Sequence, residues 1–386
     1  MSHERLVVVG PTPPPVHGVA VMTGEVLEAL AQLGCLSGHV DTRDDRPLAT
    51  IGRLDLINVW LGIKHVAMLW RASGRDGTTT VYLPISQATW GFVRDAALVA
   101  VAKLRRKRLI LHLHGGHFRG FYEDAGIVMR WLIRVVCRQA TEAWALTPSL
   151  QDQYAGLVEG NRVKCVGNVV PDLQESDQEL PPPTDRFKLL YLSNLLPEKG
   201  CFELMAALRS LGTACRGWEV CIAGPATEDV ERRLRAEAER LADGGATVHF
   251  AGEIHGQEKI RRYLWADLFV YPTYYQLEGQ PLVLLEALAA GLAVVSTRHA
   301  GIPETVRDGV EGVLVEPRDT DALARALSNM SVDEVSRRRC AAAARERYTA
   351  KYSRERLAAD LADACEVVPV VVTDVSASQT STSWGG

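Results

Sequence analysis

The sequence predicts an α/β protein built from two doubly wound parallel-sheet domains in tandem, with a cleft between them. Three observations carry this. Short apolar or β-branched runs alternate with helical stripes along most of the chain, which implies βαβ crossovers. The alternation halts once, at Pro181-Pro-Pro-Thr-Asp185 after an acidic, polar stretch over 172–179, and then resumes. A Pro-rich break of this kind marks a domain boundary. The length of 386 residues leaves each half enough chain for its own core.

The first domain, expected over 1–180, opens with the run 6–9, read as a buried parallel strand. A turn-rich loop over 11–18 leads to a helix over 21–33, with Val26, Leu27, Leu30 and Leu33 as its apolar stripe. Further strands are expected at 80–83, 109–113, 143–146 and 163–166, and helices at 92–104, 122–138 and 149–157. The second domain, 186–332, repeats the rhythm. Its strands are expected at 187–192, 220–223, 247–250, 268–271, 293–296 and 312–315. Its helices are expected at 200–211, 228–241, 257–265, 283–290 and 321–330. Residues 333–366 read as C-terminal helices, with Ser331 and Glu334 spaced as a capping box and Ser353 as a second cap. The Ser/Thr/Gly-rich stretch 367–386 reads as a disordered tail. Ligands in such sheets bind beyond the carboxyl ends of the strands, so the cleft is the expected site.

Composition narrows the function classes. Lys plus Arg number 43 and Asp plus Glu 47, a net charge of −4 that argues against a nucleic-acid partner. The hydrophobic fraction of 47% excludes a disordered or collagen-like chain. No apolar run approaches the roughly 18–20 residues of a spanning helix. The first apolar run, 6–9, is too short for the core of a signal peptide, so a cytoplasmic protein is expected. Eight cysteines without a C-x-x-C spacing read as small core residues.

The richest segment is 271–304. A strand ends at Tyr271, and the loop Glu278-Gly-Gln-Pro-Leu282 leads into a helix that Gly291 closes. Unpaired amides and the helix dipole make such a start an anion site. Pro281 opens the helix without a donor, so Gln280, Leu282 and Val283 must supply the N–H groups. Glu286, placed in the first turn, and Glu278 in the loop suit hydroxyls attached to a phosphate rather than the phosphate itself. Lys199, between a strand end and a helix, reads as a fixed cation facing the cleft. The run His112-Leu-His-Gly-Gly-His117 has partial metal-box spacing but Gly116 where an Asp is wanted, and no other tight His/Asp cluster completes it. An esterase oxyanion loop would need a G-x-S-x-G element, which the chain lacks.

Together these residues resemble retaining glycosyltransferases of family 4, which have the GT-B fold. Glu278 and Glu286 have the E-x7-E spacing of that family. Gly301-Ile-Pro-Glu304, Asp308-Gly309, Gly312 to Pro317 and Asp319 continue its usual run, and the resemblance covers roughly 186–365. It implies two Rossmann-like domains, an acceptor-side and a nucleotide-sugar-binding one, with C-terminal helices packing back toward the first. It assigns catalytic roles to Glu278, Lys199 and His114, with Glu278 reaching the hexose, Lys199 the diphosphate and His114 facing the donor sugar. It assigns donor binding to Gly18, Asn194, Gln280, Leu282, Val283 and Glu286, with Glu286 holding the ribose.

The implied reaction moves a sugar from a nucleoside diphosphate sugar to a glycan or lipid-linked glycan, without cofactor or metal. In it Glu278 orients the sugar, and a diphosphate oxygen takes the acceptor proton. The sequence departs from the family twice. Asn194 stands where an Arg is common and cannot neutralise charge. His17 replaces the first Gly of a Gly-Gly loop, which places His17 against the ligand as one expectation. An epimerase or hydrolase on the same fold, or a weakly active binding subunit, are the rival readings. Finally, Lys103-Leu-Arg-Arg-Lys-Arg108 follows an apolar helix with Ala97, Leu98, Val101 and Leu104 on one side. It reads either as a solvated helix end or as a patch for an anionic membrane surface on the inner face.

Overall fold

The computed structural model describes residues 5–43, 56–75, 77–175, 185–242 and 245–365. The expected boundary at 181–185, but for Asp185, and the tail at 367–386 lie outside the described residues. Two six-stranded parallel sheets form, one in each half. The first holds β1 (Arg5–Gly10), β2 (Leu36–Asp41), β3 (Thr78–Pro84), β4 (Arg108–Leu113), β5 (Glu142–Ala145) and β6 (Val163–Cys165), in the order β2-β1-β3-β4-β5-β6. The second holds β7 (Lys188–Leu192), β8 (Glu219–Ala223), β9 (Thr247–Gly252), β10 (Leu268–Tyr271), β11 (Ala293–Thr297) and β12 (Gly312–Val315). Its order is β12-β11-β10-β7-β8-β9. The order reverses beside β1 in the first sheet and beside β7 in the second, which is where crevices open in doubly wound sheets.

Helices cover both faces of the first sheet. On one face lie α1 (Gly18–Gln32) and, from the far end of the chain, α13 (Arg354–Ala364), packed on Leu6, Val8, Tyr82 and Ile110. On the other lie α2 (Leu56–Ala72), α3 (Thr89–Leu104), α4 (Phe118–Asp124) and α5 (Ile127–Arg138), packed on Val7, Val9, Leu109 and Leu111. Alternate residues of one strand thus serve opposite layers, as a two-residue period requires. The second sheet carries α6 (Cys201–Leu211), α7 (Glu228–Ala242), α8 (Gly256–Trp265), α9 (Leu282–Ala290), α10 (Ile302–Thr305), α11 (Thr320–Val332) and α12 (Glu334–Lys351).

Several sequence expectations change. The C-terminal helices pack back unequally: α13 joins the core of the first domain through Leu357 and Leu361, with Arg354 clasping Glu25 at 2.6 and 2.9 Å, while α12 reaches the chain at Val170 and Asp172, through Tyr348 and Arg345 at 3.0 and 2.7 Å. Helix α12 instead puts Cys340, Ala344 and Tyr348 into the core of the second domain. Asp333, not the Ser331–Glu334 pair, caps α12 by accepting from the Ser336 amide at 2.9 Å. Ser353 stands at the cap of α13 but makes no side-chain cap bond. The helix expected over 122–138 breaks at Ala125 and Gly126 into α4 and α5, and 149–154 is a 3-10 turn. The buried face of α3 is Phe92, Asp95, Leu98, Val99, Val101 and Ala102, while Ala97 and Leu104 face out. Seven of the eight cysteines are buried; Cys165 on the edge strand β6 is exposed.

The basic run 103–108 is largely bound by the protein itself. Lys107 donates to the Thr78 carbonyl at 2.6 Å and Lys103 to that of Gln139 at 3.4 Å. Arg108 pairs with Glu142 at 3.5 Å, and Arg105 lies 4.0 Å from the Trp70 ring centroid. Four of its five cations therefore brace the helix end.

Candidate functional site

The carboxyl ends of both sheets border one cleft of about 570 Å³, within the range of small-ligand sites. From the second domain come the loops after β7 and β10 and the start of α9. From the first come the start of α1 and the loop after β4.

Two carboxylate–lysine pairs dominate the second-domain wall. Lys199 ends a 3-10 turn after β7, and Gly200 follows it at φ +86. A Cβ at Gly200 would come within 2.2 Å of the Pro272 carbonyl, so only glycine lets this turn lie against the β10 loop. The Tyr191 hydroxyl donates to the Lys199 carbonyl at 3.1 Å and fixes the turn from below. The ammonium then meets Glu278 Oε2 at 2.7 Å and lies 4.3 Å from the Tyr275 ring centroid. The same oxygen accepts from the Tyr271 hydroxyl at 2.7 Å and from Thr273 at 3.3 Å. Glu278 is 8% exposed, and a carboxylate so enclosed requires such partners. Burial and the neighbouring Glu278 charge push the Tyr271 hydroxyl well above its usual pKa, so it stays a donor.

Glu286 repeats the arrangement nearby. Lys259 of α8 reaches its Oε1 at 2.5 Å, and the Tyr263 hydroxyl donates to Oε2 at 2.9 Å. Helix α9 begins at Leu282 with Pro281 as its cap, so Glu286 stands in the second turn and not the first. Among the described residues, the amides of Gln280, Leu282 and Val283 have no protein acceptor, and they sit at the positive end of α9. Leu282 touches the cores of both domains.

The first-domain wall is neutral. His114 follows β4; burial lowers its pKa to about 4. Its Nδ1 lies 3.2 Å from Asn168 Oδ1. Asn168 also donates from Nδ2 to the Gln280 carbonyl at 2.8 Å and from its amide to Gln280 Oε1 at 2.7 Å. Because Asn168 uses its NH₂ on Gln280, its oxygen is the acceptor, and His114 carries its proton on Nδ1. The network leaves Nε2 as the basic nitrogen, 3.4 Å from the Tyr82 hydroxyl, and His114 lines the cleft. His112, stacked 4.1 Å away, has both nitrogens engaged, by the Tyr82 hydroxyl at 2.7 Å and the Val166 carbonyl at 3.0 Å. It is structural. Among the described residues no group of three His, Cys, Asp or Glu side chains is placed to hold a metal ion.

The remaining expected residues also border the cleft. Gly18 is the first residue of α1, and Asn194 is exposed on the wall. His17 caps α1, its Nδ1 accepting from the Ala20 amide at 3.3 Å. Sequence reading missed Lys259, Tyr263, Tyr271 and Asn168. No local pattern marks Lys259, Tyr263 or Asn168, because each acts on a residue distant in sequence; Tyr271 lies near Glu278 in the chain, but only the folded loop after β10 brings its hydroxyl onto that carboxylate. Two glycines seat the domains on each other: a Cβ at Gly116 would meet the Glu278 carbonyl at 2.0 Å, and one at Gly279 the His114 carbonyl at 2.6 Å. Glu304 adds an interdomain clasp, accepting from the Ser149 hydroxyl at 2.6 Å and its amide at 3.0 Å.

A second cavity of about 360 Å³ opens from the cleft into the first domain, past His17 and His114, between α2 and α3. Leu61, Trp90 and Arg94 line it. Arg94 is held at 2.8 Å by Asp95, which is fully buried and also accepts from the Ser86 amide at 2.8 Å.

Residues 172–347 match the family model of the glycosyl transferases group 1. The second domain is a group 1 glycosyl transferase domain. Curated relatives of this glycosyl transferase domain include a Mycobacterium tuberculosis glycogen synthase, 34% identical over 171 residues, 44% of this chain and 40% of that protein. Another is the GDP-mannose-dependent alpha-(1-6)-phosphatidylinositol monomannoside mannosyltransferase of the same organism, 33% identical over 184 residues, 46% of this chain and 47% of that protein. The match thus spans less than half the length of either relative. Solved structures extend the likeness to nearly the whole chain. Anabaena HepE in complex with UDP and glucose superposes with a TM-score of 0.72 at 17% identity, covering 94% of this chain and all of that one. The sucrose-phosphate synthase of Thermosynechococcus elongatus gives 0.70 at 18% identity, covering 94% of this chain and 98% of that one. The fold is GT-B.

Proposed function

We propose that the protein is a retaining hexosyltransferase that moves a sugar from a nucleoside diphosphate sugar to a glycan or lipid-linked glycan. One observation carries the reading: Lys199 and Glu278 meet at 2.7 Å in the same cleft as Glu286 and the open amides of α9. That places a cation and two hydroxyl-accepting carboxylates around a site for an anion. The ribose is assigned to Glu286 and the diphosphate to Lys199 and the amides of Gln280, Leu282 and Val283. Glu278 and the neutral His114 are assigned to the hexose, with Gly18 and Asn194 bordering the donor. As the bond breaks, charge grows on the diphosphate, and Lys199 with the amides stabilises it without a metal ion. A diphosphate oxygen takes the acceptor proton, with transfer on the face of departure. The cavity between α2 and α3 suits the acceptor. HepE with UDP and the GDP-mannose-dependent relative make UDP- and GDP-sugars the first donors to try.

The experiment is a thermal-shift screen of UDP-, GDP- and ADP-sugars, followed by product analysis with and without acceptor. A donor at 100 times its Kd adds about 2.7 kcal/mol of stability. Transfer only with acceptor supports the reading. Free sugar or an epimer without acceptor points to a hydrolase or epimerase, and binding without turnover to a binding subunit.

A further inference from the structure

We propose that the outer face of α2, α3 and α5 docks on an anionic phospholipid bilayer. The three helices lie side by side over one face of the first sheet, and they are apolar on both sides. Leu69 and Ala72 of α2 and Ile133 and Val136 of α5 face the sheet. Yet Trp60, Ile63 and Trp70 form a second stripe on α2, and Val128 and Trp131 another on α5, all turned to solvent. Trp60 is 60% exposed and Trp131 61%. An apolar stripe at helical spacing ordinarily seeks a core, and an exposed patch of this extent marks an interaction surface. Four of the chain's eight tryptophans stand on this face.

Charge selects the partner. The one carboxylate in the three helices, Asp95, is fully buried and bonded to Arg94. Between the apolar side chains stand Lys64, Arg71, Arg130, Arg134 and Arg138, all exposed. Lys64 lies 5.7 Å from the Trp60 ring centroid. Tryptophan with interleaved cations and no exposed acid on these three helices suits the boundary between headgroups and acyl chains of an anionic leaflet; the exposed Glu123 and Asp124 of α4 stand at its edge. The surface is therefore wider than the run 103–108, whose cations mostly brace the fold. Trp90 joins it to the site, being exposed here and also lining the cavity between α2 and α3. An acceptor anchored in the bilayer would enter at that rim. This last clause rests on the proposed transferase reading; the docking itself does not.

The test is flotation of the full chain with vesicles of phosphatidylcholine alone and of an equal mixture with phosphatidylglycerol, at low and physiological salt. Binding to the mixed vesicles, stronger at low salt, is expected. Replacing Arg71 and Arg138 with Gln should lower the partition about thirtyfold, from about 1 kcal/mol for each cation. The double variant Trp60→Ser, Trp131→Ser should lower it roughly tenfold or more while leaving nucleotide affinity and the melting curve unchanged. Parent protein that ignores mixed vesicles at low salt overturns the proposal. So do tryptophan variants that bind like the parent, or a parent dimer without vesicle affinity that those variants dissociate.

Discussion

The two walls of the cleft are built on the same sheet plan and differ in chemistry. The second-domain wall carries two buried carboxylates, each clasped by a lysine and a tyrosine: Glu278 with Lys199 and Tyr271, Glu286 with Lys259 and Tyr263. The first-domain wall offers His114 and Asn168, neutral and bonded in series to Gln280. A carboxylate buried near an anion site is stable only while something replaces its water, and the lysines do so here. A ligand that brings hydroxyls to the carboxylates and phosphate to the lysines can exchange every one of those contacts without leaving a charge unpaired. The neutral wall can position a ligand but cannot offset its charge. The charged wall should therefore govern donor affinity and rate, and the neutral wall geometry and pH response.

Breaking the pair nearest the proposed chemistry tests this hardest. Lys199→Ala should lower kcat about 10²–10³-fold, more than it raises donor KM. It also strands Glu278, at up to about 3 kcal/mol in stability. Adding Glu278→Gln should recover part of the melting temperature and none of the turnover. Parent-like kcat in the single variant would remove Lys199 from the reaction. At the second pair, Glu286→Ala should weaken binding of the donor nucleotide by about 2–3 kcal/mol, read by calorimetry. Unchanged affinity would take the ribose away from Glu286.

The neutral wall should show itself in pH dependence. His114 titrates at about 4 when folded against 6.5 when unfolded. Between those values the unfolded chain binds the extra proton, so stability falls as pH drops below about 6.5. His114 alone contributes a loss of about 2 kcal/mol at pH 5. His112, lowered by burial, acts in the same direction. Denaturation midpoints at pH 7 and pH 5 should diverge less in His114→Gln than in the parent; equal divergence contradicts the assignment. The smallest effect is expected at Lys259. Lys259→Met should weaken donor binding by about 1 kcal/mol, and Asn194→Arg in that background should restore it if Lys259 offsets the cation missing at 194. No restoration would confine Lys259 to its contact with Glu286.

Much of the fold is legible locally. Strands at 6–9, 109–113, 268–271 and 293–296 announce themselves as short β-branched or apolar runs, and the structure places β1, β4, β10 and β11 there. The strand β2 and the helix α2 are not legible. Among the six residues of β2 only Val40 is buried, so no run stands out. In α2 the apolar residues fall on both sides, so no single stripe appears. Likewise in α3 Leu98 and Val101 are buried while Leu104 is exposed.

The candidate site divides in the same way. Glu278, Pro281 and Glu286 lie within one loop and helix, and their spacing along the chain already carries the geometry of α9. Lys199 is 79 residues from Glu278, and Lys259 is 27 from Glu286. Those pairings exist because β7 lies beside β10 in the sheet and α8 against α9. Asn168 and Gln280, 112 residues apart, meet only where the two domains close. Periodicity and turn chemistry act over a few residues, so the order of elements and the carboxylate spacing can be read from the chain. Which cation neutralises which carboxylate, which lysines brace a helix end and which apolar stripe faces water depend on strand order and domain contact. Those are properties of the packed molecule, set by the burial and charge compensation that packing alone supplies.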